Sequence, residues 1–143
     1  MSEILLQADS TTLVLNGQVI EDFAEGDYIE INPVNELTSH TNSSNGGVTI
    51  IKRLDAGVTD VVVRVQKHST SDVFLNGIRN QEAPVVIEGS AQEVYVRNGS
   101  EFVEAWSLER GSMTVQPSNT KNNQDGNALQ EYTIRFRSAV RTI

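Results

Sequence analysis

The stretch TDVVVRVQ at residues 59–66 decides the fold class. Its apolar residues alternate, because every second residue from Val61 to Val65 is a valine on the same side of an extended chain. β-Branched residues with this period of two are typical of a half-buried β-strand. The sequence VTIIKR at 48–53 has the same character. Ala56-Gly57 lies between the two stretches, so we predict that they pair as a hairpin.

The same period of two recurs along most of the chain. Asn16-Gly17 separates two short apolar runs and suits the positive φ angles of a type I′ turn. The last predicted strand places Tyr132, Ile134 and Phe136 inward as part of the core. In chain order, the strands predicted besides 48–53 and 59–66 are 12–15, 18–20, 27–31, 84–88, 92–97, 102–109, 112–116 and 129–137.

One short helix is predicted over residues 69–81. Ser69 or Ser71 can act as its N-cap, and Asp72 falls in the first turn, where negative charge is favourable. Ala83-Pro84 would end it. The residues expected to face the sheet are Val73, Phe74, Gly77 and Ile78. These elements predict a mainly β fold with one short helix.

Two long polar segments interrupt this pattern. They span residues 33–47 and 117–127, and they lie within what we interpret as a single domain of residues 1–143. Pro33 ends the preceding strand, because proline lacks the N–H group that a sheet requires. Loops of this length within a compact domain are usually functional or disordered. The segment 33–47 is therefore a candidate functional element.

Composition narrows the range of functions. The chain of 143 residues carries a formal charge of -8 and contains no cysteine, which excludes disulfides and thiolate metal sites. A net acidic chain is a poor candidate for binding nucleic acid, since phosphate binding requires a basic surface. The N-terminus resembles no signal peptide, and no apolar run is long enough for a membrane anchor. We therefore expect synthesis in the cytoplasm.

No catalytic, metal or cofactor site is predicted. His40 and His68 each lack a second histidine at ligand spacing. The segment beginning at Lys121 has lysine at the first position of a calcium loop and tyrosine at the twelfth, so it does not fit one. Trp106, Tyr95 and Tyr28 leave open a stacking platform for carbohydrate. We expect no enzyme.

The sequence resembles the inner tail tube proteins of contractile-tailed bacteriophages, which are similar to the tube protein of type VI secretion. The resemblance extends over nearly the whole chain after about residue 10. The segments that carry it are LNGQVIEDFAEGD at 15–27, PVNELTSH at 33–40, NGGV at 45–48, SDVFLN at 71–76, TKNNQDGNAL at 120–129 and YTIRFRSA at 132–139.

This resemblance implies an antiparallel β-barrel or sandwich with one short flanking α-helix. It also implies a structural virion protein that forms hexameric rings. Inner strands of a ring would join into one continuous barrel, and stacked rings would form a hollow tube inside a contractile sheath. The implied partners are further copies of the chain, the sheath, a tape-measure protein, a baseplate hub and a terminator. Viral DNA would pass through the lumen without specific binding, because an acidic wall repels phosphate.

The segment 33–47 would reach the next ring. Residues predicted to make this inter-ring contact are Val34, Glu36, Leu37, Thr38, His40, Asn42 and Asn45. Two other functions stay open: a tail or capsid-decorating β protein that forms no tube, and a carbohydrate-binding β-sandwich.

Overall fold

A computed structural model describes residues 3–121, 123 and 129–143. Strands dominate these residues, and a single helix interrupts them after the sixth strand. The elements are β1 (Ile4–Leu15), β2 (Gln18–Ile20), β3 (Ile29–Pro33), β4 (Thr38–Asn42), β5 (Val48–Lys52), β6 (Thr59–Gln66), α1 (Thr70–Arg79), β7 (Ile87–Arg97), β8 (Ser100–Val115) and β9 (Leu129–Thr142).

Seven of the strands form one antiparallel sheet in the order β2-β1-β7-β8-β9-β6-β3. The other two, β4 and β5, form a separate two-stranded sheet. The prediction of a mainly antiparallel β fold with one short helix is therefore confirmed. Short connections between neighbouring strands account for the antiparallel pairing of β1 with β2 and of β7 with β8.

The core lies on the inner face of the large sheet. Strand β6 alternates buried and half-buried residues, as its sequence predicts. On β9, Ile134 lies opposite Val61 and Tyr132 lies opposite Val63, so their side chains meet on the same face. Full burial of an aliphatic or aromatic side chain contributes about 1.5–3 kcal/mol. Core residues from these strands join Leu13, Leu15, Ile20, Leu75, Ile87, Leu108 and Phe136 in a single cluster.

A crossing segment connects the two edges of the large sheet. Asn16 and Gly17 adopt positive φ angles of 49° and 80°, as the type I′ turn between β1 and β2 requires. After β2 the chain crosses to β6, where the amide of Ala24 donates to the carbonyl of Arg64 at 3.0 Å. Phe23 forms an isolated bridge with Val65. The sheet therefore curls around the core and its two edges are brought together by residues 21–28.

Helix α1 packs against the end of this barrel. Ser69 is the N-cap, and its hydroxyl accepts a hydrogen bond from the amide of Asp72. The helix ends at Arg79, before the predicted stop at Ala83-Pro84, because Asn80 caps it. Its buried residues are Ser71 and Leu75, with Phe74 and Ile78 half-buried. Val73 and Gly77, which we expected to face the sheet, are exposed.

Asp72 connects helix α1 to the core through hydrogen bonds. Its carboxylate accepts from the hydroxyl of Tyr132 at 2.7 Å and from the amide of His68 at 2.9 Å. Burial raises the pKa of Tyr132, and the hydrogen bond to Asp72 adds to that shift. The hydroxyl therefore stays protonated and remains a donor.

No helix among the described residues is long and apolar enough to cross a membrane.

Two predicted breaks fall inside continuous strands. The predicted strands 84–88 and 92–97 are replaced by β7, and 102–109 and 112–116 both lie in β8. Gly111 does not interrupt β8. A side chain there would lie 2.5 Å from the ring of Phe136, so the glycine makes room for this core residue. The sequence predicts a break between 109 and 112, whereas glycine here permits close packing inside one continuous strand.

The predicted hairpin between 48–53 and 59–66 is wrong. Strand β5 pairs with β4, and β6 pairs instead with β3 and β9. The segment 33–47 consequently contains a strand rather than only a loop. In the second polar segment, residues 117–121 and 123 form neither helix nor strand, and the remainder of 117–127 lies outside the described residues.

Candidate functional site

The small sheet projects from the large one. We call residues 38–52, which comprise β4, β5 and the turn between them, the arm. At its base, the amide of Arg53 donates to the carbonyl of Leu37 at 3.0 Å. At its tip, the hydroxyl of Ser43 accepts from the amide of Gly47 at 2.8 Å, and Gly46 adopts a φ of 90°. Local turn chemistry therefore defines the tip of the arm.

The arm leaves apolar side chains in solvent. Val48 is 57% exposed, Ile50 62% and Ile51 56%. Because opposed residues of a hairpin share a face, Val48 and Ile50 lie beside His40 and Lys52, whereas Ile51 faces the other way. An exposed apolar strand with unpaired edges is a surface ready to pair with another chain.

The residues predicted for inter-ring contact all lie on the arm or at its base. Thr38, His40 and Asn42 alternate along β4 and therefore share one face, while Asn45 is in the turn. Val34, Glu36 and Leu37 precede β4 and are exposed.

Sequence reasoning missed the apolar residues of β5. The prediction for Val48, Ile50 and Ile51 is a strand paired with 59–66, and it does not indicate exposure, because strand character does not distinguish a covered face from an uncovered one. The available signal was the absence of acidic residues between Glu36 and Asp55, which separates this segment from the rest of an acidic chain.

A second exposed apolar surface lies where β1, β7 and β8 begin or end. We call it the flap, formed by residues 4–6, 94–97 and 100–103. Leu6, Tyr95 and Phe102 lie side by side across the three strands. The Tyr95 and Phe102 rings stack with centroids 5.7 Å apart, and the Arg97 guanidinium lies 4.6 Å from the Phe102 centroid. Aromatic and aliphatic groups in such a row favour contact with another protein.

A cleft of about 360 Å³ lies between β3 and the inner face of β7 and β8. We call it the groove. Acidic, aromatic and aliphatic side chains line it, among them Asp27, Tyr28, Ile29, Glu93, Glu104 and Trp106. Of the aromatic residues considered for a stacking platform, Trp106 and Tyr28 meet in the groove, whereas Tyr95 stacks with Phe102 instead.

Hydrogen bonds hold the wall of the groove in place. The indole N–H of Trp106 donates to Glu104 at 3.0 Å, and the guanidinium of Arg141 binds the same carboxylate at 2.8 Å. The hydrogen bond from Arg141 lowers the pKa of Glu104, and the indole adds to the shift. Glu104 is therefore ionised and holds Trp106 in one orientation at neutral pH.

Charges on the outer face of β3, β6 and β9 are largely paired. Arg64 binds Glu30 at 3.0 Å and Glu131 at 2.9 Å, and Arg135 binds Asp60 at 2.8 Å. Burial opposes the charge of Arg64, but its two carboxylate partners outweigh that effect and raise its pKa. This face is a cross-strand ion-pair network and offers no isolated acid or base for catalysis.

The two histidines do not form a catalytic arrangement. His40 lies on the exposed arm, and His68 precedes the helix with its backbone amide bound to Asp72. Among residues 3–121, 123 and 129–143, no group of three or more histidine, aspartate or glutamate side chains is placed to hold a metal ion. The surfaces that stand out are therefore the arm, the flap and the groove.

The fold of this chain is similar to those of chains in solved structures of contractile injection systems. It is similar to a chain of the sheath/tube terminator of an extracellular contractile injection system, with 14% identity, 97% coverage of both chains and a TM-score of 0.62. A chain of the anti-feeding prophage tube-terminating cap has 12% identity, covers 96% of this chain and 91% of its own, and gives a TM-score of 0.63.

Hcp1 from Flavobacterium johnsoniae is also similar, with 14% identity, coverage of 92% and 93%, and a TM-score of 0.51. The sequence matches no known family profile and no curated protein. The chain therefore has a fold found in contractile injection systems. The resemblance to tail tube proteins is confirmed at the level of the fold.

Proposed function

We propose that this chain is the protomer of an inner tube in a contractile particle. Hexameric rings of the chain would stack into a hollow tube inside a contractile sheath. The exposed arm is the observation that carries this proposal, because a folded hairpin with uncovered isoleucines is useful only when another chain covers it. The fold shared with chains of contractile injection systems supports the same role.

The proposed mechanism is mechanical. Contacts between copies are of the head-to-tail type, which propagates until a different protein stops it. A tape-measure protein, a baseplate hub and a terminator would set the length and the ends of the tube. In a phage tail, the lumen would pass viral DNA without specific binding, and the protein would be part of the virion.

Arm and flap would supply the contacts between copies. The predicted inter-ring contacts are those of Val34, Glu36, Leu37, Thr38, His40, Asn42 and Asn45, to which we add the exposed side of β5. Free edges of β2, β3 and the first half of β1 are available for pairing with a neighbouring copy in the ring. No residue is assigned a chemical reaction.

Negative-stain electron microscopy across a range of protein concentrations tests the proposal. The full chain is expected to form six-fold rings or hollow tubes. The matched control replaces residues 38–52 with a short Gly-Ser linker, because the hydrogen bond between Leu37 and Arg53 already brings the two ends of the arm together. This variant should keep native circular dichroism and form no tubes.

Other outcomes favour other functions. Tubes from the armless variant would contradict the assignment of the arm. Single particles of the full chain at every concentration, also after addition of a baseplate fraction, would contradict the tube itself. Assembly only on a capsid lattice would instead identify a decorating protein.

A further inference from the structure

The groove is acidic wherever it is charged. Its charged lining residues are Asp27, Glu93 and Glu104, and none of its lining residues is basic. Arg141 neutralises Glu104 from outside the lining. Among the described residues, Asp27 and Glu93 form no ion pair, although Glu93 accepts a hydrogen bond from Thr11 at 3.4 Å. The guanidinium of Arg64 donates to the backbone carbonyl of Asp27 at 2.9 Å, but its ion pairs are with Glu30 and Glu131. The side-chain carboxylates of Asp27 and Glu93, beside Tyr28 and Trp106, are therefore not ion-paired among the described residues.

The charged residues of the arm and its base are basic, in contrast to the acidic groove. The segment between Glu36 and Asp55 holds no acidic residue, and its basic residues are Lys52 and Arg53, with His40 on the same face as Lys52. Arg53 is paired with Asp55 at 3.0 Å. Within the part of the chain that the structure describes, Lys52 forms no ion pair. A free cation thus lies beside the exposed Ile50.

The free backbone edge of β3 can also pair with a free edge of the arm. Strand β3 is the last strand of its sheet, so one of its edges is free beside the groove. Among the described residues, strands β4 and β5 pair only with each other, and each therefore keeps one free edge. An arm strand can extend the large sheet at β3 through main-chain hydrogen bonds, while its side chains enter the cleft.

The volume of the groove suits a few side chains from one face of a hairpin rather than a whole domain. A cleft of about 360 Å³ lies at the lower end of the range of about 300–1,000 Å³ that is usual for binding pockets. It accommodates a few side chains, such as Val48 and Ile50 with the stem of Lys52. The arm does not fill it within one protomer, since no arm residue is among those that line it and both arm strands are exposed or nearly so.

We infer that the groove binds the arm of a second copy of this chain, with the face of Val48, Ile50 and Lys52 toward Trp106 and the carboxylates of Asp27 and Glu93. This inference rests on the proposed self-assembly and identifies the surface that receives the arm. Because arm and groove are different surfaces of one chain, the contact is head-to-tail and propagates.

The single tryptophan makes this contact measurable. Trp106 is the only tryptophan of the chain and it lines the groove. The receptor is the chain with residues 38–52 replaced by a Gly-Ser linker, which keeps Trp106. The donor is the full chain with Trp106→Phe, which keeps the arm but emits no tryptophan fluorescence. Titration of donor into receptor is expected to shift the emission of Trp106 with saturation.

Matched substitutions in the donor define the docking face. Ile50→Asp and Lys52→Glu should each raise the half-saturating donor concentration at least about tenfold, because each places a negative charge against the acidic groove. Ile51→Asp is the control, since Ile51 has similar exposure but lies on the opposite face. Glu93→Lys in the receptor should restore binding of the Lys52→Glu donor. Circular dichroism of every variant checks that it is folded.

The outcomes separate this inference from the proposed tube. Tubes of the full chain with no response of Trp106 to the donor would overturn only the groove as the receiving surface. Equal weakening by Ile50→Asp and Ile51→Asp, or failure of Glu93→Lys to restore binding, would overturn the docking face. No response of Trp106 and no assembly of the full chain would overturn both proposals. A response to oligosaccharides, but not to the donor, would identify a carbohydrate site instead.

Discussion

Strands β5 and β6 have closely similar sequences and opposite environments. Both are short and rich in valine or isoleucine, and only a six-residue connection, from Arg53 to Val58, separates them along the chain. Three valines of β6 are fully buried, whereas every residue of β5 is exposed. The comparison shows that strand propensity and burial are separate properties of the sequence.

The strands that flank β5 and β6 explain their different burial. Strand β6 lies between β3 and β9, and its inner face meets Tyr132 and Ile134. Within residues 3–121, 123 and 129–143, strand β5 has only β4 beside it, and no other layer covers either face. A chain that keeps a β-branched strand uncovered has an interaction surface, and in our account another copy completes it.

The same substitution in both regions tests the comparison most severely. Ile134→Asp places a charge in the closed core and is expected to cost more than about 4 kcal/mol, which is enough to unfold the protomer. Ile50→Asp places the same charge in the exposed arm and should leave the melting temperature unchanged. Circular dichroism with thermal denaturation measures both. A stable, native-like Ile134→Asp protein would refute the inward orientation of β9.

Close packing distinguishes the core strands from exposed elements. Gly111→Ala would put a methyl group 2.5 Å from the ring of Phe136, and such overpacking is expected to cost about 2 kcal/mol. Gly77→Ala in the exposed part of α1 meets no atom within 4 Å and should instead stabilise the helix by about 1 kcal/mol. Urea denaturation of the two variants should show opposite signs, and equal signs would contradict the packing at Gly111.

The hydrogen bond between β9 and α1 contributes less. Tyr132→Phe removes the donor to the Asp72 carboxylate and is expected to cost about 1.5 kcal/mol, since bonds to charged groups are stronger than neutral ones. In the arm, His40→Phe has no corresponding core contact to lose and should not change the unfolding free energy. An unaltered stability of Tyr132→Phe would show that Asp72 finds an equivalent partner in water.

Acid sensitivity is the smallest effect expected. The hydrogen bond from Arg135 lowers the pKa of Asp60 below its ordinary value of 3.8. The pair therefore stabilises the protein above that pH, and the contribution disappears as the pH falls through the folded-state pKa. Asp60→Asn should lower the melting temperature at pH 7 and have no comparable effect at pH 2. Lys52→Gln in the arm should have no such pH dependence.

Sequence patterns predicted where most strands lie, including β6 and β9, whose partners are distant along the chain. The turn at Asn16-Gly17 and the alternation of β6 and β9 followed from local rules of backbone conformation and period. Pairing between distant strands did not, because a period of two does not specify a partner. The role of Gly111 depends on Phe136, a contact that only the folded chain creates.

The candidate site was predictable only in part. An unusual length and polarity singled out residues 33–47, and their projection from the fold follows from the pairing of β4 with β5. The groove was not predictable, because Asp27, Glu93 and Trp106 come from segments far apart in sequence. No local pattern signals such a convergence.

Hydrogen exchange of the arm amides, read by mass spectrometry in the protomer and in the assembled protein, tests whether another copy covers the arm. Our account predicts that peptides from residues 38–52 exchange rapidly in the protomer and become strongly protected on assembly. Peptides from β6 and β9 should be protected in both states, because their ladder bonds are already buried. Assembled tubes with an arm that still exchanges as fast as in the protomer would contradict the account.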